Sequence, residues 1–130
     1  MSAWRKEASK RLPEWQSIIA SREIDNPMML WIELHIKFAQ LCEQNPPDLD
    51  LLKRFWGYAK WCMEHGHEDV LTAAALAFCE HLLDSDASKR LLPQIMSRQD
   101  YEGLKSLLLY HNSQEQYEQG LKCFDTARKK

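Results

Sequence analysis

Glycine and proline are sparse in this chain, four and five among 130 residues. No stretch alternates apolar and polar β-branched residues, so strands and tight hairpins have little to be built from, and helix is the expected element. Long apolar runs are missing as well. The longest, Val70 to Cys79, is ten residues broken only by Thr72, about half of the ~20 that a bilayer-crossing helix requires. The N-terminus, Met1-Ser2-Ala3-Trp4-Arg5-Lys6-Glu7, carries basic residues with no apolar run behind them. It lacks the hydrophobic region of a secretory signal, and the chain is expected in the cytoplasm with no membrane partner. Cysteine is neither dense nor paired. Cys42, Cys62, Cys79 and Cys123 lie 20, 17 and 44 residues apart, which gives no CxxC pair and no disulfide framework, and they read as reduced thiols, mostly in the core.

What the chain does have is enough apolar material, 45% of residues, to bury one core in one domain spanning residues 1–130. The first twelve residues and residues 126–130 are expected to fray. The net charge of −2 is unevenly placed. Residues 1–12 carry four basic and one acidic side chain, residues 120–130 likewise, and residues 13–119 carry nine and seventeen, giving +3, +3 and −8. A nucleic-acid binder with a continuous basic face would not look like this, so no nucleic-acid partner is expected.

Helix signals recur along the chain. Pro13 suits the first turn of a helix continuing through Trp15 and Ile19. Asn26 caps and Pro27 opens a second helix, whose inward stripe is Met28, Trp31, Leu34, Phe38 and Leu41, closed by Asn45-Pro46-Pro47. Asp48 caps a third, with Leu52, Phe55, Ala59 and Cys62 inward, stopped at Gly66. The fourth, Val70 to Cys79, is apolar nearly all round and is expected to be the buried centre, its three consecutive alanines admitting close neighbours. Ser88 to Met96, Asp100 to Tyr110, and a helix started by the capping box Ser113 to Gln116 complete the chain. Short connections favour antiparallel neighbours. The fold class expected is therefore all-α, about six to seven helices in antiparallel hairpins stacked as a bundle or a short HEAT-like solenoid.

Catalytic motifs are missing. There is no GxSxG elbow, no phosphate-cradling glycine loop and no thiol signature, so the expectation is a protein that is not an enzyme. Cys62, His65, His67, Glu68 and Asp69, with Cys79 and His81 one helix later, are residue types that metals use. The spacing fails, because His67-Glu68-Asp69-Val70-Leu71 has leucine where HExxH needs histidine. His35 and His111 look isolated. No metal and no cofactor are expected. Of the five tryptophans, Trp15, Trp31 and Trp56 read as core, while Trp61 falls between the apolar stripe and the polar side of its helix. The acidic residues are more organised. Glu23, Asp25, Glu64, Glu68 and Asp69 fall in connections at one end of an antiparallel stack, and Glu43, Asp48, Asp50, Glu80, Asp84 and Asp86 at the other, where they would attract a basic partner.

Several segments resemble an uncharacterised bacterial all-helical family associated with immunity proteins of polymorphic-toxin systems. They are Leu12-Pro13-Glu14-Trp15, Leu49-Asp50-Leu51-Leu52-Lys53-Arg54-Phe55-Trp56, Glu64-His65-Gly66-His67-Glu68-Asp69-Val70, and Phe78-Cys79-Glu80-His81-Leu82-Leu83 followed by Leu91-Leu92-Pro93. The resemblance implies a HEAT-like stack that binds another protein and supplies no catalytic residues. The functional expectation is a non-enzymatic protein-interaction module that masks a basic, toxin-like protein. Its contact residues would be Trp61, Glu64, Glu68, Asp69, Asp84 and Asp86. The alternative is a small-ligand or metal-binding regulatory domain using the aromatic and Cys/His residues of the third and fourth helices.

Overall fold

The computed structural model describes the backbone of residues 2–128 and the side chains of residues 2–126. Nine α-helical segments follow one another among these residues: α1 (Ala3–Arg11), α2 (Gln16–Ile19), α3 (Pro27–Cys42), α4 (Leu49–His65), α5 (Glu68–Ala77), α6 (Asp86–Ile95), α7 (Arg98–Gly103), α8 (Lys105–His111) and α9 (Gln114–Arg128). Two 3-10 turns, Pro13–Trp15 and Cys79–His81, join α1 to α2 and extend α5. The fold is an all-α bundle, and among the described residues no helix is long and apolar enough to cross a membrane.

The caps lie where the sequence puts them. The Met29 N–H donates to Asn26 Oδ1 at 2.9 Å, and the Leu51 N–H donates to Asp48 Oδ1 at 3.1 Å. Ser113 and Gln116 exchange backbone-to-side-chain hydrogen bonds at 2.7 and 3.1 Å, each satisfying a donor that the first turn of α9 leaves open. Gly66 ends α4 at a corner too tight for a side chain. A Cβ there would stand 2.5 Å from the Cys62 carbonyl oxygen and 2.6 Å from Val70 Cγ1.

Helix count exceeds the expected six to seven because short segments are separately hydrogen-bonded. The stretch from Asp100 to Tyr110 breaks at Leu104, whose N–H bonds back three residues to the Tyr101 carbonyl rather than four. Gly103, a poor helix former, ends α7 there. The N-terminal segment is not loose. Ala8 and Leu12 are fully buried, Tyr58 Oη donates to the Trp4 carbonyl at 2.9 Å, and the Arg5 guanidinium reaches the carbonyls of Ile19 and Ile24. Of the C-terminal residues expected to fray, 126–128 belong to α9, and 129–130 lie outside the described residues.

The centre is aromatic. Trp31 stacks on Tyr58, with centroids 5.1 Å apart and planes at 18°, and leans on Phe78 at 4.8 Å. Phe38 meets Phe55 and Phe78 edge-on at 5.6 and 4.9 Å. Pairs of this kind add about 0.5–1.5 kcal/mol each beyond their buried area. The contacts also fix the directions of the helices. Trp31 and Phe38 of α3 meet Tyr58 and Phe55 of α4 in reverse order, so these two form an antiparallel hairpin. α5 is less enclosed than its composition suggests. Val70, Ala73, Ala74 and Ala75 are buried, whereas Leu71 and Leu76 remain about two-fifths exposed. Alanines make the close contact with neighbouring helices, which leaves the larger leucines on the outside.

Candidate functional site

α3 and α5 run side by side in the same direction. Their beginnings share one groove, lined by Asn26, Pro27 and Met28 from α3 and by His67, Glu68, Asp69 and Thr72 from α5. Further along, His35 and Phe38 meet Phe78 just past the end of α5. The groove is open and encloses about 740 Å³.

This end of the bundle is acidic in a way the other is not. Glu23 and Asp25 lie in the loop running into Asn26, Glu64 precedes the Gly66 corner, and Glu68 and Asp69 form the first turn of α5. All five are exposed, and none forms an ion pair among the described residues. The positive end of the α5 dipole accommodates Glu68 and Asp69 locally. It does not reach Glu23, Asp25 and Glu64, which lie outside that turn.

At the far end Asp48, Asp50, Asp84 and Asp86 are engaged within the chain, whereas Glu43 is exposed without an ion pair and Glu80 keeps one buried oxygen without a hydrogen-bond partner among the described residues. Asp48 caps α4, Asp50 pairs with Arg54 at 3.1 Å, and Asp86 pairs with Lys89 at 3.3 Å. Asp84 lies between two imidazoles, one oxygen 2.7 Å from His81 Nδ1 and the other 3.1 Å from His111 Nε2. The six residues singled out from sequence therefore separate. Glu68 and Asp69 line the groove, with Glu64 beside it in the chain. Asp84 and Asp86 lie beyond the far end of α5, which spans about 15 Å at 1.5 Å per residue. Trp61 is half-buried on α4, stacked on Tyr58 at 6.3 Å and 11°, and is not among the groove-lining residues.

Sequence reasoning missed an apolar strip. Met29, Ile32 and Ile36 of α3 are 36–50% exposed, and their i, i+3, i+7 spacing places them on one outward face. That face borders the edge where Met28 and His35 approach α5. On α5, Leu76 stands one turn beyond Thr72 on the side facing the groove, and is also exposed. The signal was present in the sequence. α3 carries more apolar residues than one inward stripe uses, and the surplus recurs with helical spacing.

The Cys/His cluster considered from sequence does not converge. Cys62 and Cys79 are core residues, and burial pushes their thiols up to about 11 and about 12. Neither offers a thiolate near neutrality. His65 and His67 are exposed around the α4–α5 corner. His35 and His111, isolated in sequence, are not isolated in space. The His81 ring lies 4.4 Å from that of His111 and 5.3 Å from that of His35, whose pKa is lowered by burial and then by His81. Among the described residues, His81, Asp84 and His111 bring three metal-ligating atoms within 4.8 Å of one another.

Two of the four basic N-terminal side chains, Arg5 and Arg11, have structural employment, while Lys6 and Lys10 are exposed. Arg5 holds the two carbonyls named above, and Arg11 pairs with Glu7 at 2.6 Å. Nearby, Arg54 grips the Glu14 carboxylate through two nitrogens at 2.8 and 2.6 Å and donates to the Arg11 carbonyl at 2.9 Å. The Arg54 hydrogen bond lowers the Glu14 pKa. No protein-family model matches the chain, and no curated protein or solved structure is detectably similar to it.

Proposed function

We propose that this chain is a non-enzymatic protein-interaction module that binds a basic partner protein through the acidic groove where α3 and α5 begin. The partner would present lysine or arginine beside apolar side chains. The carboxylates would meet its charge, and Met29, Ile32, Ile36 and Leu76 would meet its apolar surface. One observation carries this reading. The five acids at this end have no basic partner among the described residues, while Asp50, Asp84 and Asp86 at the other end are engaged within the chain. Unpaired surface charge contributes little to folding, but it steers association and sets specificity. Masking of a toxin-like protein is the form of this role that the sequence resemblance suggests.

The test is the affinity for a partner identified by cross-linking in the cells that make the protein. Glu68→Lys with Asp69→Lys should weaken binding by about 10-fold or more, mainly through slower association, and flatten its salt dependence. Asp86→Lys, at the other end, should leave affinity unchanged. Equal affinity of the groove variant and the wild type would remove the site assignment.

A further inference from the structure

His81, Asp84 and His111 lie outside the proposed docking surface, and their construction is unlike that of a chance surface ion pair. His81 ends the 3-10 turn after α5, and His111 ends α8. The two segments are locked together by Asn112, a buried polar residue whose Nδ2 donates to the Glu80 carbonyl at 3.2 Å and to the Leu108 carbonyl at 2.9 Å. Asp84 has no lysine or arginine partner among the described residues, only the two imidazoles. One residue before His81, the Glu80 Oε2 atom is buried without a hydrogen-bond donor among the described residues.

Two imidazoles and one carboxylate form the donor set of zinc and its first-row neighbours, whereas calcium and magnesium take all-oxygen shells. The distances are close to what such an ion needs. Tetrahedral zinc, with bonds of ~2.0–2.1 Å, separates its ligand atoms by roughly 3.3 Å. The 2.7 Å His81–Asp84 contact must open by about 0.6 Å, and a separation at the 4.8 Å limit must close by about 1.5 Å, to reach that spacing. Side-chain rotation suffices, because the three side chains are 30–44% exposed and an ion can reach them from solvent.

We propose that His81, Asp84 and His111 bind one divalent transition-metal ion of the zinc type, with water in the fourth position, and that the ion clips the turn after α5 to the end of α8. Each imidazole binds through the nitrogen that now faces Asp84, its proton moving to the other ring nitrogen. His35 stands behind His81 as a wall of the site rather than as a ligand.

The experiment titrates the purified full chain with zinc by calorimetry and with cobalt by visible absorption. One equivalent should bind. The cobalt spectrum should show the d–d bands of a tetrahedral nitrogen and oxygen shell with no thiolate charge-transfer band, and zinc should raise Tm. His81→Ala and His111→Ala should each weaken binding by about 100-fold or more, since losing a ligand exceeds the 10–100-fold effect of losing a ligand's outer partner. Both should keep the metal-free Tm and helix content of the wild type, because these side chains lie at the surface. His67→Ala should bind as the wild type does. Failure of zinc and cobalt to saturate, binding that survives both histidine substitutions, or a thiolate band would overturn the proposal. Asp84→Asn keeps the size of the side chain and provides a second variant that should lose the metal while remaining folded.

Discussion

Gly120 offers a test in which the structure reverses the sign expected from helix propensity. It lies inside α9, where glycine to alanine ordinarily stabilises by about 1 kcal/mol. Here an added Cβ would stand 2.0 Å from Tyr101 Oη, 2.7 Å from Tyr101 Cζ and 3.2 Å from Leu83 Cδ2. Tyr101 has little room to retreat. It is fully buried, stacks on Tyr117 at 5.1 Å and 10°, leans on Phe124 at 5.0 Å, and donates its hydroxyl proton to the Tyr117 carbonyl at 2.9 Å. Overpacking of about 1–3 kcal/mol, with about 1 kcal/mol for a disturbed buried hydrogen bond, outweighs the propensity gain. Gly120→Ala should therefore destabilise by about 1–3 kcal/mol, lowering Tm by roughly 3–10 °C in a chain of this length. Gly103 is the control, because nothing lies within 4 Å of a Cβ there. Gly103→Ala should be neutral or stabilising by up to about 1 kcal/mol. Adding Tyr101→Phe to Gly120→Ala removes the atom in the worst overlap and should recover part of the loss. Urea unfolding measures all of these variants. Equal or greater stability of Gly120→Ala, or the same response at both glycines, would refute the packing of α7 against α9.

Other consequences follow from the same packing. Arg5→Lys keeps the charge but loses the fork that reaches the Ile19 and Ile24 carbonyls together, so it should cost about 1–2 kcal/mol in urea unfolding, and Arg5→Ala more. Labelling of the native protein at pH 8 by a thiol reagent should occur at Cys123, the one cysteine that is not buried. Cys42, Cys62 and Cys79 should react only after unfolding, and rapid labelling of all four would contradict their burial. Burial raises these three thiols to about 12, about 11 and about 12. Their folded values exceed the unfolded value of about 8.5, so their contribution is complete below that pH and is lost as pH rises above it, by roughly 1 kcal/mol per thiol per pH unit. Unfolding free energy should fall by a few kcal/mol between pH 8 and pH 10, and a flat profile would contradict the shifts.

Much of the fold was legible because its signals are local. Asn26, Asp48, Gly66 and the Ser113–Gln116 box each mark a helix end through atoms within four residues. The inward stripe Met28, Trp31, Leu34, Phe38 and Leu41 follows from helical period alone. The break at Leu104 escaped because it rests on one local backbone hydrogen bond beside Gly103, which the helical spacing of Tyr101, Leu104, Leu107 and Leu108 does not register. The rest of what escaped depends on packing. The exposure of Leu71 and Leu76 reflects which face of an almost uniformly apolar helix meets its neighbours, and composition holds no such information. The acids were visible as a group, but their division into unpaired and engaged sets was not, because the Asp84 partners His81 and His111 lie at separations of 3 and 27 residues that no motif links. Trp61 was placed at a boundary by its position on the helical wheel. The structure adds that its ring is stacked on Tyr58 and lies outside the groove lining.

The central claim is that the docking surface is the end of the molecule where α3 and α5 begin, together with the outward strip of α3. Backbone hydrogen–deuterium exchange of the protein with and without its cross-linked and identified partner tests it most directly. The account predicts added protection over residues 23–36 and 64–76, with little change in α6, α7 and α9. Protection confined to those three helices, or to the far end around Asp48 and Asp84–His111, would contradict it.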